Sequence, residues 1–199
     1  MGSLPATLPA VGEESKVQAQ KAIAAGAEVL ATGRYLTLID DHGWEYVTRP
    51  GVTGIVVIVA VTDDEKLLLV EQYRTAVHRK VLELPAGMVG DGDAHAGESL
   101  ADAAARELAE ETGFAAAEME PLVEGPIAVG VSDETVSFFR AHGLTRVGPG
   151  GGDASENITV HQVPLSRLRG FLASSATAGL AIDPKIYAGL YLVDASVRT

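Results

Sequence analysis

Three observations in the 199-residue chain predict an α/β (α+β) fold: helices set on a mixed sheet, with a small antiparallel sheet ahead of it. Short apolar runs, alternating or continuous and broken by Asp, Gly and Pro, recur between residues 34 and 163 and read as strands. An amphipathic stretch within them carries capping residues at both ends, and so reads as a helix. Asp183-Pro184 then opens a last apolar segment at helical spacing.

Taken in order, residues 1–16 mix Gly, Pro and Ser and are expected to form a flexible tail. Residues 16–26 are rich in alanine with little periodicity, which predicts no more than a weak helix. Tyr35, Thr37 and Ile39 alternate with Leu36, Leu38 and Asp40. The turn Asp41-His42-Gly43 follows, and residues 44–49 return as a second strand. Pro50-Gly51 ends this unit, so residues 17–52 form an N-terminal β-sheet subdomain and residues 53–199 a larger domain. In the larger domain, residues 54–61, a turn at Asp63-Asp64-Glu65 and residues 66–73 predict a second, more buried hairpin. A strand at 81–84 leads into Pro85-Ala86-Gly87. Residues 122–131 and 135–141 read as strands separated by Ser132-Asp133-Glu134. Residues 148–155, GPGGGDAS, hold four glycines and a proline and predict a mobile loop before a strand at 158–163. Leu165, Leu168, Phe171 and Leu172 recur at helical spacing, as do Ile186, Leu190 and Val193 in the last helix. No internal repeat is present.

Composition narrows the function. The chain has 15 Lys+Arg against 27 Asp+Glu, a net charge of -12, which argues against wrapping nucleic acid. An anionic substrate must then be drawn in by local arginines and a bound metal, not by the overall field. The absence of cysteine excludes disulfides, thiolate catalysis and zinc–thiolate sites, and is compatible with a reducing compartment. Residues 1–15 lack a basic start followed by an apolar run, and the apolar run at 54–61 is too short to span a membrane. A cytoplasmic location with no membrane partner is therefore expected.

The chemistry concentrates in residues 92–114, GDAHAGESLADAAARELAEETGF. Ser99 is placed to cap a helix at its N-terminus, Asp102 falls at the third helical position, and Gly113 closes the end. Glu107, Glu110 and Glu111 stand at i, i+3 and i+4, so three carboxylates leave one side of the helix within about a turn. Ala101, Ala104, Ala105 and Leu108 occupy the neighbouring sector, which is expected to pack on a core. Hard divalent cations relieve such crowding, and Mg2+ is the ion most often held by a few carboxylates together with substrate phosphates. A bare triad of this kind, with Arg106 and Glu110 at i, i+4, is more often a solvated face.

Gly92, Glu98, Arg106, Glu107, Leu108, Glu110, Glu111, Gly113 and Phe114 match the box of the Nudix hydrolases at every specified position. The chain resembles that family. Leu69-Val70-Glu71-Gln72-Tyr73-Arg74 and Leu82-Glu83-Leu84-Pro85-Ala86-Gly87 resemble the segment that precedes the box in the ADP-ribose pyrophosphatase branch. The resemblance implies a three-layer α/β/α sandwich and hydrolysis of ADP-ribose to AMP and ribose 5-phosphate. It also implies a Mg2+ cofactor, with Mn2+ as the alternative, and a homodimer that exchanges its N-terminal sheets.

Carried over by position, Glu107, Glu110, Glu111 and the Ala86 carbonyl hold the metal. Trp44 stacks the adenine, Arg49 and Arg74 contact the diphosphate or ribose, and Glu83 hydrogen-bonds the substrate. Glu156 is the general base, with Asp153 and Glu134 as rivals, and Glu98 and Arg106 support the carboxylates. Read on residue type alone, Trp44 fits an interface filler as well as a stacking platform, and the arginines fit surface ion pairs. Val129 stands where many ADP-ribose hydrolases have proline, so other nucleoside diphosphate sugars, FAD and NADH remain alternative substrates. A non-catalytic ADP-ribose sensor is a third reading. The complete box and the lack of a basic module speak against it.

Overall fold

The computed structural model describes residues 26–90, 95–152 and 157–197. The expected tail and nearly all of the weak helix lie outside the described residues, as do Gly92, Asp153 and Glu156.

The N-terminal unit is a three-stranded antiparallel meander of β1 (Glu28–Thr32), β2 (Thr37–Asp41) and β3 (Trp44–Thr48). β2 and β3 form the expected hairpin. His42 and Gly43 both have positive φ, 56° and 89°, as a two-residue turn matched to strand twist requires. The Gly43 N–H donates to Asp40 Oδ1 at 2.7 Å and closes it. β1 is an addition to the sequence reading.

β4 (Gly54–Ala60) and β5 (Lys66–Arg74) do not form the expected hairpin. They meet at one isolated bridge, Val61 to Leu67, and part into two sheets. Both edges of β4 are otherwise taken, by β7 (Ala86–Val89) and, in parallel register, by β10 (Thr135–His142). β5 pairs instead with β6 (Arg79–Glu83) and β12 (Thr159–Pro164). β9 (Glu118–Pro126) completes the first sheet, and β13 (Ala181–Ile182), parallel to β6, completes the second. A pair of two-residue strands, β8 (Phe114–Ala115) and β11 (Thr145–Arg146), stands apart.

The strand expected at 122–131 is thus displaced to 118–126, because β10 begins at Thr135, whose partner is Pro126. Residues 127–134 are left without a partner strand in that sheet. They turn back toward the N-terminal unit, where the Val47 N–H donates to Val131 O at 2.8 Å and Thr48 Oγ1 to Asp133 Oδ2 at 3.0 Å.

Three helices cover the sheets: α1 (Leu100–Thr112), α2 (Leu168–Thr177) and α3 (Lys185–Val197). Successive residues of a strand point to opposite faces, and here both faces are buried. Val57, Val59, Leu67 and Leu69 join Leu168, Leu172 and Ile186 in one core. Val56, Ile58, Ala60 and Leu68 join Ala103, Ala104 and Leu108 of α1 in the other. The result is an α/β/α sandwich. Ala103, not Ala105, completes the buried face of α1. Among the described residues no helix is long and apolar enough to cross a membrane.

Candidate active site

The chain changes sheets between Glu83, the last residue of β6, and Ala86, the first of β7. A cleft of about 570 Å3 opens at that seam, between residues of β5 and β6, the start of β7 and one face of α1.

α1 starts and stops as its caps require: Ser99 Oγ accepts the Asp102 N–H at 3.1 Å, and Gly113 takes the left-handed conformation with φ 75°. The helix turns its glutamates into the cleft. Glu111 is 2% exposed and accepts the Ala86 N–H at 3.0 Å. Glu107 lies against Gly87, where an added Cβ would fall 1.9 Å from the carboxylate carbon. Glu110 is the most open of the three.

One guanidinium organises this wall. Arg106 grips Glu98 through Nε at 3.2 Å and Nη2 at 2.9 Å, while its Nη1 donates to Glu107 Oε1 at 2.9 Å and Glu110 Oε2 at 3.0 Å. These carboxylates, Glu98 foremost, hold the arginine firmly in its charged form. Burial pushes the Glu98 carboxyl up, but the bonds from Arg106 and the Gly90 N–H outweigh it, so it stays below the ordinary carboxylate value.

The opposite wall is cationic but already paired. Arg74 Nε donates to Glu83 Oε2 at 2.8 Å and Arg49 Nε to Glu134 Oε1 at 3.1 Å. Glu83 is 7% exposed; burial raises its carboxyl above the ordinary value, Arg74 draws it partly back, and neighbouring Asp183 adds to the rise. The cleft thus gathers Arg49, Arg74, Glu83, Ala86 and the three α1 glutamates, with Arg106 behind them. Trp44 is not among its lining residues: the side chain stands on β3 with the residue 62% exposed. Glu134 lines the cleft through its pairing with Arg49.

Sequence reasoning missed Lys185, at the start of α3, which also lines the cleft. Its signal was present, because a lysine in a helix's first turn opposes the helix dipole and so calls for another reason to be there. Over residues 148–152 the glycine-rich segment runs beside the end of α1. The Gly151 N–H donates to Glu111 O at 2.8 Å and the Gly152 N–H to Glu110 O at 3.0 Å, satisfying carbonyls that a helix end otherwise leaves open.

The donor set suits a hard cation. Three carboxylates on one helix face and a residue without a Cβ opposite them leave room for oxygen ligation. Among the described residues no three carboxylates or imidazoles form a ready-made metal cage. An open site shared with water and phosphate, as Mg2+ prefers, needs none.

A model of the NUDIX domain matches residues 52–168. The chain belongs to the Nudix family. Nudix hydrolases act on phosphoanhydrides and generally use a divalent metal. The chain is 37% identical over 167 residues to an ADP-ribose pyrophosphatase of Mycobacterium tuberculosis, covering 77% of this chain and 79% of that one. It is 32% identical to an ADP-sugar pyrophosphatase of Mus musculus, with 94% of each covered. It also spans about half the length of a methanol dehydrogenase activator of Bacillus methanolicus, at 35% identity over 102 residues. A crystal structure of an ADP compounds hydrolase superposes with TM-score 0.64 over 86% of this chain and 91% of that one, and at 24% identity shares the Nudix fold.

Proposed function

We propose that this Nudix hydrolase cleaves the diphosphate of ADP-ribose, giving AMP and ribose 5-phosphate, with Mg2+ as its metal. The observation that carries the reading is one cleft with Glu107, Glu110 and Glu111 on one wall and Arg49 and Arg74 on the other. A phosphoanhydride is the substrate such a pairing of walls suits. The sequence similarity to pyrophosphatases of ADP-ribose and ADP-sugars supports the choice of nucleotide.

Glu107, Glu110, Glu111 and the Ala86 carbonyl would hold the metal, which when bound supplies a water of lowered pKa and neutralises the diphosphate. Arg74 and Arg49 turn from their carboxylate partners toward the phosphate oxygens and stabilise the charge that builds there. Glu83, released by Arg74, hydrogen-bonds the substrate. Arg106 keeps the α1 carboxylates oriented, and Glu98 fixes Arg106. Glu156 takes the water's proton. The basis for that role is its place in the sequence, just past a segment whose backbone is tied to Glu110 and Glu111.

The active unit is a homodimer with exchanged N-terminal sheets. Every residue of β1 is exposed, Val29 and Leu30 included, and Trp44 stands away from its own chain's cleft. A second copy would cover the former and bring the tryptophan to a substrate adenine.

Incubation of the purified protein with ADP-ribose and Mg2+, with AMP followed by chromatography, tests the reading. AMP release that stops with EDTA and returns with Mg2+ is expected, and no AMP overturns it. A panel of ADP-ribose, ADP-glucose, FAD and NADH tests the substrate, which is wrong if another compound has the larger kcat/KM.

A further inference from the structure

β13 runs parallel to β6, and the Asp183 N–H donates to Leu82 O at 3.0 Å, which sets Asp183 beside Glu83. The two carboxylates are 8% and 7% exposed. Two buried acids side by side need two cations, and each has one. Arg74 bonds Glu83 at 2.8 Å, and the Lys185 ammonium bonds Asp183 Oδ2. Asp183 Oδ1 separately accepts the Lys185 backbone N–H at 2.8 Å, so the helix cap does not depend on the lysine side chain.

Three features set Lys185 apart from a partner serving Asp183 alone. It lines the cleft, whereas Asp183 does not. An ammonium carries three donors; among the described residues Asp183 is its one hydrogen-bond acceptor, which leaves two to spend. Its position in the first turn of α3 works against the helix dipole, so helix stability does not account for it. Arg49, Arg74 and Arg106 each already hold a carboxylate, and the cleft is rich in acids. Arg49 and Arg74 each spend only Nε there, so Lys185 adds to their charge and meets a doubly charged diphosphate from α3.

We propose that Lys185 contacts a phosphate oxygen of the substrate's diphosphate, as a binding residue outside the Nudix box and on a different element from the arginines. The inference rests on the diphosphate-hydrolase reading above. Lysine suits the role as a point charge that binds phosphate without a fixed fork geometry.

The test uses the full chain as wild type, Lys185→Met and Lys185→Arg. With Mg2+, Lys185→Met should raise KM roughly ten- to hundredfold for both ADP-ribose and ADP-glucose, and Lys185→Arg should restore most of it. A uniform loss marks a phosphate contact; a loss confined to one sugar, or KM unchanged while Tm falls, overturns it. Titration calorimetry with ADP in EDTA separates this from the parent reading. ADP should bind Lys185→Met at least about tenfold more weakly than wild type. Equal ADP affinity overturns the lysine's role even if no substrate is turned over, whereas wild type that binds ADP but releases no AMP overturns only the hydrolase reading.

Discussion

Gly87 approaches Glu107 so closely that a Cβ on Gly87 would lie 1.9 Å from the glutamate's carboxylate carbon and 2.0 Å from Oε1. The obstructing atoms are the tip of a flexible side chain, not backbone, so the fold can accommodate a larger residue by moving the carboxylate. Gly87→Ala should therefore damage catalysis more than stability. We expect kcat/KM to fall at least tenfold, in line with the cost of misplacing a group about a metal site. Tm should shift by only a few degrees; a variant of full activity would show that Glu107 does not act from this position.

Glu107→Gln and Glu111→Gln each keep the shape and remove a charge. Glu111→Gln can still accept the Ala86 N–H through its amide oxygen, so the buried contact survives. Turnover should drop roughly a hundredfold or more at saturating Mg2+, with unchanged circular dichroism. Near wild-type activity in either variant would remove that residue from the metal set.

The Glu98–Arg106 pair predicts a pH-dependent stability. Glu98 titrates below its unfolded value because burial, which raises it, is outweighed by Arg106 and the Gly90 N–H. Its contribution is therefore present above the unfolded pKa of about 4.3 and is lost as pH falls through the lower folded value. Glu98→Gln should cost about 1–3 kcal/mol at pH 7. The gap to wild type in urea unfolding should close in acid below the folded pKa; a gap that widened there would contradict the assignment.

Gly150 presents the opposite case to Gly87. Its φ is 72°, and a Cβ there would lie 2.5 Å from the carbonyl carbon of Thr112, which as backbone cannot move aside. Gly150→Ala should destabilise by about 1–3 kcal/mol and lower amide protection at Gly151 and Gly152, read by hydrogen exchange. An unchanged unfolding midpoint would mean that the segment is not held to α1 in solution.

What could be read from the sequence divides along the range of the interactions. The caps of α1, the grouping of Glu107, Glu110 and Glu111, and the turn at His42-Gly43 depend on neighbours within a few residues, and each appears in the structure as expected. The separation of β4 from β5 was hidden because adjacent apolar strands joined by a tight turn imply a hairpin. The partner that prevents it, β10, lies far along the chain. β9 was misplaced for the same reason: its limits follow from where β10 starts, not from its own residues. Lys185 carried a local oddity, a cation in a helix's first turn, but where it points could not be read locally, because only the parallel pairing of β13 with β6 brings it to the cleft.

The two-faced burial of β4 constrains how the chain can change length. Val56 and Val57 are sequence neighbours committed to different cores, one under α1 and the other under α2 and α3. Deleting a single residue within the strand would swap every later side chain between those cores and shift Ile58 and Val59 out of contact with their complements. The exposed turn at residues 63–65 carries no such commitment, so an inserted residue should be tolerated there and refused a few residues earlier.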